Sequence, residues 1–252
     1  MKRVSVVLIA VCVLAGAWLA AETLDEILAK NYESRGGLDK LQAIKTTRIK
    51  GKMMQSMMNM EFPMDLWYRK PNCIRMEAEF QGKKIVQGYD GKTVWWIMPF
   101  MGSEEPQEMP EAQAKEVIDM AESMDPLVDY KAQGHTLEFL GKEEMEGTEV
   151  YKLKLSRKNG KVTTFYLDTD SGIELKSTTY IKRGESEVLV ESVFGDYQEV
   201  DGIMFPFSLE SKMDGTTAMT LIFESYTLNE EMPDELFTMP AKQETPAAGE
   251  KQ

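Results

Sequence analysis

Histidine and cysteine are nearly missing from this 252-residue chain. It carries one histidine, His135, and two cysteines, Cys12 and Cys73. A serine or cysteine nucleophile needs a neighbouring base, and one histidine offers little to build on. No G-x-S-x-G, H-E-x-x-H or cysteine pair occurs. The expectation is a protein that is not an enzyme and holds no metal or cofactor. Cys12 lies in an N-terminal apolar stretch, so Cys73 alone cannot close an internal disulfide in the remainder, and stability must come from burial. Asp168-Thr169-Asp170-Ser171-Gly172 hints at a calcium loop. It lacks the trailing glutamate and sits between strands, so it is expected to be a hairpin turn.

Positive charge is also short. Lysine and arginine number 29 against 42 acidic residues, a net charge of −13. Such a surface repels phosphate backbones, which argues against nucleic acid as a partner. It argues equally against simple adsorption on anionic lipid. Internal repeats are absent, and no pattern of parallel crossover helices is visible, which makes a doubly wound sheet unexpected.

What is present begins with a secretory signal. Lys2 and Arg3 precede the apolar run Val4–Leu14, and Leu19-Ala20-Ala21 supplies small residues for cleavage. An uncleaved anchor is the alternative, since the run nearly reaches the ~20 residues of a membrane span. A lipid attached at Cys12 is disfavoured by bulky Val11 before it and by the apolar core continuing past it. The expected organisation is a signal at 1–21, one domain at 22–240, and a tail at 241–252 too poor in apolar residues to fold. An exported, periplasmic location follows from the signal.

Thr23-Leu24-Asp25-Glu26 is a capping-box pattern and predicts a helix to about Ser34, ended by Gly36-Gly37. Leu38 to Ile44 adds a short second turn. From Thr46 the period becomes two. Ile49, Gly51 and Met53 alternate with lysines; Phe62, Met64, Leu66 and Tyr68 share a face; so do Tyr151, Leu153 and Leu155. Eight turn signals separate the runs: Gln81-Gly82, Asp90-Gly91, Glu146-Gly147, Asn159-Gly160, Asp170-Ser171-Gly172, Arg183-Gly184, Asp201-Gly202 and Asp214-Gly215. Together they predict an antiparallel meander of roughly eleven strands. Gly102 to Gln133 interrupts it with a helix opening at Pro110, whose stripe is Val117, Met120, Ala121 and Met124. Asp125-Pro126 breaks that helix, and a shorter one follows to about Tyr130. The insert is either a plug at one end of a barrel or a lid that moves.

Asp65-Leu66-Trp67-Tyr68-Arg69-Lys70-Pro71-Asn72, then Asp90-Gly91-Lys92-Thr93-Val94-Trp95-Trp96, then Pro99-Phe100, and near the end Phe237-Thr238-Met239-Pro240, resemble in order and spacing the LolA/LolB family of periplasmic lipoprotein carriers. The resemblance implies a mainly β fold, an incompletely closed antiparallel barrel with an N-terminal helix and an inserted helical lid over an apolar cavity. It implies carriage of lipid or of a lipoprotein's acyl chains, with membrane-bound donor and acceptor partners, by a monomer. An envelope lipid sensor of the same fold would look alike in sequence. In the family a basic residue before the Pro-Asn step holds the lid through its backbone carbonyls. The matching position is Lys70, a single point donor where the family usually has the planar fork of arginine; Arg69 could take over by a shift in register.

Methionine carries the remaining signal. Met53, Met54, Met57, Met58, Met60 and Met64 crowd one hairpin, and Met98, Met101, Met109, Met120 and Met124 fall near the insert. Thioethers adapt to varied apolar partners, and Trp67, Trp95, Trp96 and Phe100 add apolar area. The expected cavity lining is Phe62, Met64, Leu66, Tyr68, Ile74, Met76, Trp96 and Met98, with Val117, Met120 and Met124 from the lid. A competing reading of Met53–Met60 is Cu(I) or Ag(I) capture by soft thioethers. Its weakness is that, along a strand, Met53 and Met57 face one way and Met54, Met58 and Met60 the other.

Overall fold

The computed structural model describes residues 22–56, 60–122, 124–184 and 186–242. The apolar segment 1–21, Met57-Met58-Asn59 and the tail from 243 lie outside the described residues. Helix α1 (Leu24–Ser34) begins at the predicted capping box: the Thr23 hydroxyl accepts from the Glu26 amide and the Glu26 carboxylate accepts from the Thr23 amide. Its buried face is Ile27, Leu28 and Asn31. Asn31 donates to the Gly172 carbonyl at 2.8 Å, which ties α1 to the Asp168–Gly172 turn. In that turn the Asp168 carboxylate accepts from the Asp170 amide and the Ser171 hydroxyl, as expected of a hairpin. Helix α2 (Leu38–Ala43) follows.

The strands are β1 (Thr46–Gln55), β2 (Met60–Arg69), β3 (Cys73–Phe80), β4 (Lys83–Tyr89), β5 (Val94–Met98) and β6 (Ser103–Glu108). Helices α3 (Glu111–Ala121) and α4 (Pro126–Gln133) come next. Then come β7 (Thr136–Met145), β8 (Thr148–Ser156), β9 (Val162–Asp168), β10 (Glu174–Arg183), β11 (Ser186–Val200), β12 (Ile203–Met213) and β13 (Thr216–Leu228). All belong to one antiparallel sheet in the order β6-β5-β4-β3-β2-β1-β13-β12-β11-β10-β9-β8-β7. Every neighbour is sequential except β1 with β13. The sheet is open. Its two edges, β6 and β7, are consecutive in the chain, and the segment joining them is α3–α4.

Seven of the eight predicted turns fall between consecutive strands, and the eighth, Arg183-Gly184, begins at the last residue of β10. Asp201-Gly202 and Asp214-Gly215 have φ of +53°/+76° and +46°/+78°, the paired positive values of a tight hairpin whose twist matches that of the strands. The described strands number thirteen, where the periodicity suggested about eleven. The clearest addition is β6, Ser-Glu-Glu-Pro-Gln-Glu, which has no apolar alternation and lies within the Gly102–Gln133 insert. As an edge strand it needs none, and proline is tolerated there.

Two packed layers close the ends. Helices α1 and α4 bury Ile27, Leu28, Leu127 and Tyr130 against Leu137, Tyr151, Leu153, Leu155, Phe165 and Leu167 of β7–β9. Leu41 of α2 packs with Ile44, Val128 and Ile203. On the opposite, convex face, Arg48, Trp67, Arg75, Gly88 and Trp95 are cross-strand neighbours in one row over β1–β5. Arg48 lies over Trp67 at 5.0 Å and Arg75 over Trp95 at 5.3 Å. Gly88 is required there, because a Cβ would sit 2.4 Å from the Trp95 ring. Trp95 donates from its indole nitrogen to the Phe237 carbonyl at 2.7 Å, and Phe237 is fully buried. The closing Phe-Thr-x-Pro segment therefore clamps the outside of the sheet, and Trp67 and Trp95 line no cavity.

Candidate functional site

The concave face is a continuous apolar surface. Cross-strand partners run Phe194, Leu209, Leu221, Met53, Phe62 across β11, β12, β13, β1 and β2. A neighbouring row runs Phe223, Gly51, Met64, Ala78, Ile85, and the next Tyr226, Ile49, Leu66, Met76, Gln87, Trp96. Ile49, Met64 and Phe223 are buried. Met53, Leu66, Met76, Met124, Leu209, Leu221 and Tyr226 pack on them but remain half-exposed. A finished core would seal such side chains. Here an open sheet presents them in a trough.

Most of the expected lining residues share this face. Met64, Leu66, Met76 and Met124 meet in one cluster. Leu66, Ile74, Trp96 and Val117 meet in a second, beneath α3. Tyr68 is buried, and its hydroxyl donates to the Pro71 carbonyl at 3.4 Å. Burial, then the nearby Asp129 and Asp125 charges, push its phenol above its ordinary range. Phe62 stands at the trough's mouth, edge-on to Phe80 at 5.3 Å, and Phe80 meets exposed Phe100 at 5.2 Å. Met98 and Trp96 line a cleft of about 80 Å³ with Met101, Glu105 and Gln107.

Three expectations need correcting. Met120 is 42 % exposed. The buried stripe of α3 is Ala114, Val117 and Ala121, which turns Met120 toward solvent, and the helix stops before Met124. Met60 faces the same side as Met53, because the chain reverses between Gln55 and Met60 and residue parity restarts there. Met54, opposite Glu61, faces away and is exposed. The geometric premise of the soft-metal reading therefore changes, and Met57 and Met58 lie outside the described residues. Arg69 does not turn inward. It bonds the Met232 carbonyl at 3.0 Å, pairs with Asp234 and covers the Phe237 ring on the convex face.

Lys70 does reach α4, but through a side chain: its ammonium lies 3.1 Å from the Asp129 carboxylate. A second and less exposed tie holds the start of α4. Arg35, at the end of α1, grips Asp125 with two bonds of 3.1 and 2.6 Å. Burial would lower the guanidinium's pKa, but Asp125 outweighs that and raises it. Beside them sits Glu174, whose Oε1 is buried without a hydrogen-bond partner. Burial dominates over the Arg35 charge and pushes its carboxyl up to about 8. Helix α3 has its own tie, Asp119 to Lys161 at 3.0 Å and to Asn159 at 2.8 Å, on the β8–β9 turn.

Sequence reasoning placed Met53 in the methionine cluster but missed the rest of the second wall of the trough: Ile49, Leu209, Leu221, Phe223 and Tyr226. The alternation Ile203, Phe205, Phe207, Leu209 was a legible signal. The pairing of β1 with β13, which brings that wall opposite the first, was not.

An open antiparallel sheet curled around an apolar trough, with helices joining its two edges, is the LolA-like architecture. A family model described as an uncharacterized protein matches residues 77–241, and the chain belongs to that family. Among solved structures, a LolA superfamily protein from Nitrosomonas europaea aligns at TM-score 0.57 and 16 % identity, covering 86 % of this chain and 98 % of that one. A DUF1329 family protein from Desulfovibrio piger aligns at 0.58 and 12 %, covering 82 % and 95 %. An outer membrane lipoprotein-sorting protein domain from Vibrio parahaemolyticus aligns at 0.56 and 12 %, covering 84 % and 94 %. No protein of curated function matches the sequence.

Proposed function

We propose that this chain is an exported, periplasmic carrier that binds lipid or the acyl chains of lipoproteins in the concave trough and hands them on in outer-membrane lipoprotein sorting. The observation that carries the reading is the unsealed apolar surface spanning β11–β13 and β1–β5, with half-exposed Leu66, Met76, Leu209 and Leu221 at its centre. The chemistry asked of it is burial alone. An acyl chain of about 16 carbons at ~0.8 kcal/mol per methylene offers on the order of ten kcal/mol before ordering costs. The lipoprotein-sorting domain with the same fold supports the same reading. Transfer implies a membrane-bound donor and acceptor, and a monomer is the simplest carrier.

Native mass spectrometry of protein purified from its own envelope tests this. Adducts with the masses of phospholipid or acylated peptide are expected, displaced by added palmitoyl lysophospholipid. Protein that emerges without adduct and takes none up would contradict the carrier reading, and bound copper would favour the thioether one.

A further inference from the structure

The concave face is not uniformly apolar. Ser177, Ser192 and Ser211 are direct cross-strand partners on β10, β11 and β12. The row continues into Phe165 on one side and Met219 on the other. Apolar rows flank it: Phe194, Leu209 and Leu221 above, Val190 and Met213 below. With strands about 4.8 Å apart, the three hydroxyls span roughly 10 Å. Ser177 leads to Glu174, whose carboxyl it hydrogen-bonds and whose second oxygen is unpartnered and buried.

The two faces of these strands differ in kind. The convex face meets water with long ion pairs, Lys176 with Glu191 and Lys212 with Glu210. The concave face over the middle of the same strands carries the short hydroxyls of Ser177, Thr179, Ser192 and Ser211, with Glu174 at one end. The Thr163 and Thr179 hydroxyls bond each other at 2.8 Å, and the Ser177 hydroxyl is turned to Glu174. Ser177 and Ser192 are partly exposed, so a ligand in the trough can reach them, and Ser211 is the buried end of the row.

We propose that Ser177, Ser192 and Ser211, continued by Glu174, form a hydrogen-bonding stripe that receives the ester carbonyls of a diacylglyceryl group, while the flanking apolar rows take its chains. The stripe thus selects glyceride esters over bare hydrocarbon. It rests on the carrier reading and adds the ligand's polar chemistry to it. Burial raises the Glu174 carboxyl to about 8, which favours its neutral form at the end of the row.

The test uses the whole protein and matched probes: 1,2-dioctanoylglycerol and its diether analogue 1,2-dioctylglycerol, which has the same chains and no ester carbonyls. The wild-type protein is expected to prefer the diester by about tenfold, the worth of one or two net hydrogen bonds. The triple variant Ser177→Ala, Ser192→Ala, Ser211→Ala should lose that preference while holding the diether as before. The single change Ser192→Ala, at a half-exposed position, should show a smaller loss and guards against misfolding of the triple. Equal affinity for the two probes in the wild type, or a preference untouched in both variants, overturns the stripe. Failure of both probes to bind overturns the carrier reading itself. Two further arms, dioctanoyl phosphatidylcholine and a synthetic diacylglyceryl-cysteinyl peptide, separate free lipid from acylated protein as the source of the ester, by which one the stripe variants weaken more.

Discussion

At the scale of single residues, the groups that matter most are those whose partners decide their charge. Glu174 illustrates this. Its folded pKa, about 8, lies above the ordinary carboxylate value. The folded protein therefore holds a proton that the unfolded chain releases between roughly pH 4.5 and 8. Its contribution is full below the unfolded value and is lost as pH rises through the folded one, at up to ~1.4 kcal/mol per pH unit. Glu174→Gln should accordingly flatten the fall in melting temperature between pH 5 and pH 8. A wild-type slope equal to the variant's would contradict it. The two charged ties on α4 differ in the same terms. Arg35→Ala leaves Asp125, about a fifth exposed, without its two guanidinium bonds, so a loss of ~2 kcal/mol is expected in urea unfolding. Lys70→Ala removes a more exposed pair and should cost under ~1 kcal/mol. The reverse ranking would return Lys70 to the position of principal latch. Lys70 was legible because a charge stood at a recognisable motif position. Arg35, Asp125 and Glu174 were not, since 139 positions separate the first from the last and nothing local links them.

Among the elements, α3 and α4 behave as different things, although the sequence presents them as one insert. Helix α4 buries Leu127, Val128 and Tyr130 and is tied by Arg35 to Asp125, by Lys70 to Asp129 and by the Tyr32 hydroxyl, which donates to the Leu127 carbonyl at 2.7 Å. Helix α3 buries two alanines and one valine, a small apolar area and so a small cost of lifting. Its polar hold is Asp119 on the β8–β9 turn. In this account α3 is the cover that moves and α4 the plug that stays. Asp119→Ala should raise hydrogen exchange several-fold over 111–121 while leaving 126–133 unchanged. Equal rises in both helices would make the insert a single body. The distinction escaped the periodicity because both helices read as amphipathic. What separates them is the volume of the buried side chains and the partners those side chains meet.

For the whole molecule, hairpins were the readable part. Each connects neighbours in sequence, and Asp-Gly or Asn-Gly marks the turn by its tolerance of positive φ. The single long-range pairing, β1 with β13, had no local signature, and with it went half of the trough. The convex clamp was half legible: Phe237-Thr238-Met239-Pro240 stood out, while its target, the Trp95 indole over Gly88, emerged only from register. Phe237→Ala should remove a fully buried ring and its contact with Arg69 while keeping the carbonyl that accepts from Trp95, lowering stability by ~3–5 kcal/mol without altering ligand affinity in protein that remains folded. A selective loss of binding would move the clamp into the site. The central claim is that a hydrocarbon chain lies along the concave face. Photo-crosslinking with a diazirine-bearing palmitoyl chain, followed by peptide mapping, addresses it directly. Adducts are predicted on Met53, Leu66, Met76, Leu209 and Leu221, from both walls at once. Adducts confined to exposed positions such as Met101, Leu140 and Tyr180, with the concave face unlabelled, would contradict the account.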